Sequence, residues 1–291
     1  MHSHDLSRRG VLAAGVGAAG ILLTPSIAHA DESLATGDDP AVPHHDVETA
    51  GAPGQLDIVP LAMTQRNSIN GTPLYYEPTR ARATFTFDQT FYDQLVAWRN
   101  QLGTLVPDSW GGPPTRIYSY GAYVNKPGMH GLGRGFDLAS VNFTGTDGDF
   151  IKGFDCRYDQ WRDGSAVTLW RRRYWTLSAS LHHRFKHVLT YVFNAEHHNH
   201  IHVDNDGYGS NNSASFSTGS SAQVQHVQAV CRYLWGYSTT IDGSWGSQTQ
   251  SHSTAVLRRI GYDSGTITSD SLNWRAFNRY SVLHGSGKQT F

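Results

Sequence analysis

Glu196-His197-His198-Asn199-His200-Ile201-His202-Val203-Asp204 gathers four histidines into six positions of a chain that holds 16 in all. Its last five residues alternate polar with β-branched, the period of a strand that buries one face. Extended backbone from His200 to Asp204 turns Ile201 and Val203 to the core and projects His200, His202 and Asp204 together from the other side. Two imidazoles held side by side on a rigid strand make a donor pair for a metal ion.

Working outward, the partner stretch is His130-Gly131-Leu132-Gly133-Arg134-Gly135-Phe136-Asp137, a histidine and a carboxylate separated by three glycines. Glycine lets the backbone curl without a Cβ penalty, so this turn can bring His130 and Asp137 round one small ion. Catalytic zinc takes three protein ligands from His, Asp or Glu and keeps a fourth position for water. His130, Asp137 and one histidine of the His200-x-His202 pair supply that set. The remaining histidine is then placed to accept a proton from the bound water. Neither half is specific alone; it is their joint occurrence that points to Zn2+.

Around these stretches the pattern is α+β. Phe91, Leu95, Trp98 and Leu102 recur at helical steps, predicting a helix over 88–102, and a second helix is expected over 177–188. Strands are expected at 117–124, 136–141, 189–193 and 200–203. Without regular βαβ alternation, this reads as a small antiparallel sheet with flanking helices that hold the zinc site. Residues 31–60 read as a flexible tether and the Gly/Ser/Asn run of 207–222 as a linker. They bracket a domain at 61–206 and a small all-helical module at 223–291. In the module Val224, Val227, Cys231 and Leu234 trace one helical face, and a second helix ends near Ile260.

The 291 residues carry 23 Lys and Arg against 24 Asp and Glu, which removes the basic footprint of a nucleic-acid binder. Ser7-Arg8-Arg9-Gly10-Val11-Leu12, the apolar run to Leu23 and the small Ala28 and Ala30 read as a twin-arginine export peptide over 1–30. A secreted, cell-wall-associated monomer is therefore expected, with no stable membrane insertion once the peptide is removed. Cys156 and Cys231 form no C-x-x-C pair, so they are not metal ligands, and the choice between a disulfide and two buried thiols stays open. No G-x-S-x-G or phosphate-binding loop occurs.

The two histidine stretches together resemble the metallopeptidase superfamily of D-alanyl-D-alanine peptidases, lysostaphin-like endopeptidases and murein endopeptidase, whose halves read H-x-x-G-x-A-x-D and H-x-H. More closely, His130, Gly133 and Asp137, with Val188, Leu189, Asn194, Ala195, His197, His200, His202 and Asp204, are similar to the bacterial extensin-like C-terminal domain over about residues 60–206. The resemblance implies that His130, Asp137 and His202 bind zinc, that His200 is the general base and that His197 supports it. This sequence departs from the family at Gly135, where a small Ala is usual, at Gly128, where Ser is frequent, and around Tyr120 and Gly121, where family cysteines are absent. Arg116 and Arg134 are the candidates, by proximity alone, for gripping a substrate carboxylate. The place of the D-alanyl peptidases' glutamate is taken by Asn199, and Glu196 reads as a solvated or supporting residue. His182, His183 and His187 read as surface or satisfied core groups; His198 is left open.

The last 70 or so residues resemble the three-helix peptidoglycan-binding domain through Asp242, Gly243, Trp245, Gly246 and Thr249. Together the two resemblances imply a secreted zinc peptidase that cuts the stems or cross-links of peptidoglycan, as carboxypeptidase or endopeptidase. The alternative is a non-catalytic wall-binding protein with a structural zinc, and a third class is a store that binds several ions reversibly.

Overall fold

The computed structural model describes residues 63–145, 151–205 and 214–291. The expected export peptide, the tether and residues 207–213 of the linker lie outside the described residues. The chain enters through β1 (Thr64–Arg66), β2 (Ser68–Ile69) and β3 (Thr72–Tyr76). Asn70 and Gly71 join β2 to β3 with φ of 44° and 81°, the two positive values that a tight hairpin needs. After β4 (Phe85–Phe87), Asp88 caps α1 (Gln89–Leu105), its carboxylate accepting from the Phe91 N–H at 3.1 Å. Phe91, Leu95, Trp98 and Leu102 are buried along one face of α1, the stripe expected from their spacing.

There follow β5 (Arg116–Gly121), β6 (Gly135–Thr144), β7 (Ile151–Asp155) and the single turn of α2 (Tyr158–Trp161). Next come α3 (Val167–His182), β8 (His187–Leu189) and β9 (Ile201–Asp204). Two expectations shift here. The second helix runs over Val167–His182 rather than 177–188, and the strand expected at 189–193 is instead β8, ending at Leu189. The helix is displaced because Tyr174, Trp175, Leu177 and Leu181 are all buried, so its apolar stripe begins earlier than the polar Arg171-Arg172-Arg173 run suggests.

Strands run in the order β2-β3-β5-β6-β9-β8, with β7 also paired to β6. The fold is α+β, and the sheet is antiparallel except for the parallel pair β3–β5. β6 organises it: Gly135 to Leu138 pair with β9 and Ser140 to Thr144 with β7, while β5 lies along its other side. Phe136, Leu138, Ile201 and Val203 are wholly buried on one face, leaving Asp137 and His202 on the opposite one.

The C-terminal helices are α4 (Ser221–Tyr233), α5 (Ser247–Arg259) and α6 (Ser271–Ser286). They share one apolar core with α3. Arg172 donates to the carbonyls of His284 and Gly285 at 2.7 and 3.0 Å, capping the end of α6. A Cβ on Gly285 would overlap Thr176 Oγ1, so glycine is what lets α6 approach α3 this closely. Between the helices Ser178 donates to His226 Nδ1 at 2.9 Å, and His226 Nε2–H donates to Asn278 Oδ1 at 2.8 Å. Cys156 and Cys231 are both free and buried. No helix among the described residues is long and apolar enough to cross a membrane.

Candidate metal centre

His130 opens a short 3-10 turn that closes on Gly133, whose φ of 67° and lack of a side chain are both required: a Cβ there would stand 2.7 Å from Asp88 N. Asp88 N–H donates to the Gly133 carbonyl at 2.9 Å, so the glycine turn is moored to the start of α1. The chain then enters β6, where Asp137 and His202 are direct cross-strand partners. Asp137 Oδ1 lies 2.9 Å from His202 Nδ1 and 3.2 Å from His130 Nε2. One donor atom from each of these three residues falls within 4.8 Å of the others, a group that could hold a metal ion.

The donor set fits that role in a second way. Each of the two histidines has its outer ring nitrogen occupied, which leaves the inner nitrogen as the one a metal ion could take in place of a proton. His130 Nδ1–H donates to the Ala122 carbonyl, and His202 Nε2–H donates to Asp204 Oδ2 at 3.0 Å. Burial opposes charge on Asp137, but its contacts with His130 and His202 hold the carboxyl well below the ordinary carboxylate range. Burial would likewise lower His202, yet Asp137 and Asp204 outweigh it and push the imidazole up to about 9. The two carboxylates thus favour a positive charge between them, one that the protonated His202 ring carries or that a cation could carry in place of its proton.

His200 and His197 stand beside the cluster. His200 Nδ1–H donates to Asn199 Oδ1 at 2.6 Å, leaving Nε2 as an acceptor 3.5 Å from Asp137 Oδ1. His197 Nδ1–H donates to Asn194 Oδ1 at 2.5 Å, and its ring centre is 5.1 Å from that of His200. Burial, reinforced by neighbouring imidazoles, lowers both rings, His197 to about 3. Both are therefore neutral near pH 7, the state a proton acceptor needs.

Other site expectations separate on the structure. Arg116 stands at the far end of β5, five residues before Gly121, which pairs with Asp137; the fold does not bring it to the cluster. Arg134, the residue before β6, is buried with Nη2 3.4 Å from Asp88 Oδ2 at the start of α1, so its guanidinium is engaged there. Glu196 is exposed on a 3-10 turn. His198 turns away to meet Tyr158 edge-on, 5.3 Å between ring centres. His182 is wholly buried, His183 contacts Gln101 at 3.0 Å, and His187 lies on β8. Tyr120, which the sequence marked only as a missing cysteine's neighbour, sits 6.1 Å from His200 between ring centres. Its one visible signal is its place directly before the residue that pairs with Asp137.

In the helical module Gln228 organises the residues of the wall-binding pattern. Its carbonyl accepts from the N–H groups of Asp242 and Gly243 at 3.0 and 2.9 Å. Its amide donates to Asp242 Oδ1 at 2.7 Å and to Thr249 Oγ1 at 3.2 Å. Gly243 has φ of 73°, Trp245 packs on Phe216 with 4.9 Å between centres, and Gly246 precedes α5 as its N-cap.

Comparison with protein-family models, curated proteins and solved structures gave no match.

Proposed function

We propose that this chain is an exported zinc peptidase that cleaves the peptide stems or cross-links of peptidoglycan. The observation that carries the reading is the pairing of a three-donor cluster, His130, Asp137 and His202, with two further histidines beside it, His200 with Nε2 3.5 Å from Asp137 Oδ1 and His197 with its ring centre 5.1 Å from that of His200. Structural zinc sites are normally closed by four protein ligands, whereas hydrolytic ones keep a position open. His130, Asp137 and His202 would hold the zinc, which would supply a Lewis acid for the scissile carbonyl and acidify a water. His200 accepts the water's proton at Nε2, and Asn199 fixes its tautomer through Nδ1. The same imidazolium then hands that proton to the departing amine. His197 orients beside His200, itself fixed by Asn194.

The substrate class rests on the sequence: the twin-arginine pattern directs the chain outward, and the Asp242–Thr249 pattern resembles wall-binding modules. Holding the catalyst on an insoluble polymer raises its effective concentration there. A wall-binding protein with a structural zinc remains the rival, favoured by the placement of Arg116 and Arg134 away from the cluster. Mass analysis of muropeptides released from purified wall separates the two. The wild type should release fragments, and His200→Ala should lose roughly 100-fold or more of that activity while retaining its zinc. Absence of release by the wild type at every pH tried would favour the rival.

A further inference from the structure

The face of the sheet that presents Asp137 continues across β5 and β3. Leu74 pairs with Ile117, and both are wholly buried in the core. Their neighbours Tyr75 and Tyr118 therefore project from the opposite face, where the rings stack with centres 4.9 Å apart. Tyr118 pairs with Ser140, whose neighbour Val141 is core, so this is the face that carries Asp137. At about 3.3 Å per residue the tyrosine pair begins roughly 10 Å from the metal ligands.

Guanidinium groups crowd this platform, and the two carboxylates beside it are already engaged, Glu77 by Arg80 and Arg157 and Asp155 by Arg157. Arg80 lies 3.7 Å over the Tyr118 ring, and Arg116 is 6.0 Å from the Tyr75 ring. Arg82 forms an isolated bridge with Tyr75, which puts both side chains on one side. Arg80 is committed to Glu77 at 2.5 Å and holds a left-handed backbone, φ 57°, that non-glycine residues adopt rarely. Arg82 and Arg116 are exposed and have no carboxylate partner among the described residues.

The geometry points to this face as a track that binds a carboxylate-bearing peptide strand leading into the metal centre. The inference rests on the peptidase reading and specifies which part of the polymer is gripped. A neutral sugar would need an open aromatic face, yet Tyr118 is only 4% exposed because Arg80 covers it. What the surface offers instead is two unpaired, planar, bidentate donors, the match for carboxylates.

The test uses the full chain and two fluorescein-labelled hexapeptides, one alternating alanine with glutamate and the other alanine with glutamine, followed by anisotropy at low salt. The acidic peptide should bind roughly tenfold tighter than the neutral one. The Arg82→Gln/Arg116→Gln double variant should abolish that preference with an unchanged melting temperature, and His200→Ala should keep it. Equal affinity for the two peptides, or a double variant that still discriminates, overturns the track. Binding is read without turnover, so the two readings fail separately. A wild type that prefers the acidic peptide but releases no muropeptide supports the track and refutes the peptidase; one that cleaves wall without the preference refutes the track alone.

Discussion

Gly135 lies directly against His130: a Cβ built on it would stand 3.1 Å from ring atoms Cγ and Cδ2 of the imidazole. The absence of a side chain at this position is therefore part of how the His130 ring is seated, at a place where the metallopeptidases that the sequence resembles usually carry alanine.

Gly135→Ala should push the His130 ring by a few tenths of an ångström and weaken metal binding about tenfold, the scale of effects on a ligand's support. Competition with a chromophoric chelator measures it. Gly131→Ala should do worse, since its Cβ would overlap the Lys126 carbonyl, and should lower the melting temperature as well. Unchanged affinity in Gly135→Ala would mean that the His130 ring is free to yield.

Gln228 is buried and uses both ends of its amide on the Asp242–Gly243 turn. Gln228→Leu strands those backbone donors and should cost about 2–4 kcal/mol of stability, read from urea titration. A loss below about 0.5 kcal/mol would show that the turn holds without it.

Stability should decline in mild acid. Burial drives His226 down to about 3, and burial lowers His183 and His284 to about 4. Each takes up a proton near pH 6.5 in the unfolded chain that the folded chain refuses until pH 3 to 4. The contribution is thus complete above pH 6.5 and drains away as pH falls, by about 1.4 kcal/mol per unit for each proton difference at His226 and His183 and by less at the part-exposed His284, where solvent screens the charge. Urea midpoints at pH 7.5, 5.5 and 4.5 should fall in that order, and less steeply in His226→Leu. A flat profile would contradict burial of these rings in neutral form.

Both thiols should be inert in the native protein, because burial raises Cys156 and Cys231 above the ordinary thiol range. Ellman's reagent should find none before denaturation and both afterwards in guanidinium. Failure to find thiols after unfolding would indicate a disulfide.

Much of the His130–Asp137–His202 cluster is legible in the primary structure because its residues come from two short stretches whose local geometry does the work. The glycine turn returns His130 to Asp137, and strand alternation projects His202 opposite the buried Ile201 and Val203. Legibility fails where partners are distant. Nothing local to Arg171-Arg172-Arg173 announces that the run lies inside α3, since Arg172 is satisfied by carbonyls of His284 and Gly285, over 100 positions away. Arg116 and Arg134 looked alike by proximity, yet sheet register carries one far along β5 and the other is buried against Asp88, 46 positions earlier. Tyr120 was hidden because a bulge between β5 and β6, not a motif, brings it beside His200.

Metal analysis of purified wild type and single variants tests the central claim most directly. The account predicts close to one zinc per chain in the wild type, lost in His130→Ala, Asp137→Ala and His202→Ala and retained in His197→Ala and His200→Ala. Stoichiometric zinc in Asp137→Ala, or several reversibly bound ions in the wild type, would contradict it.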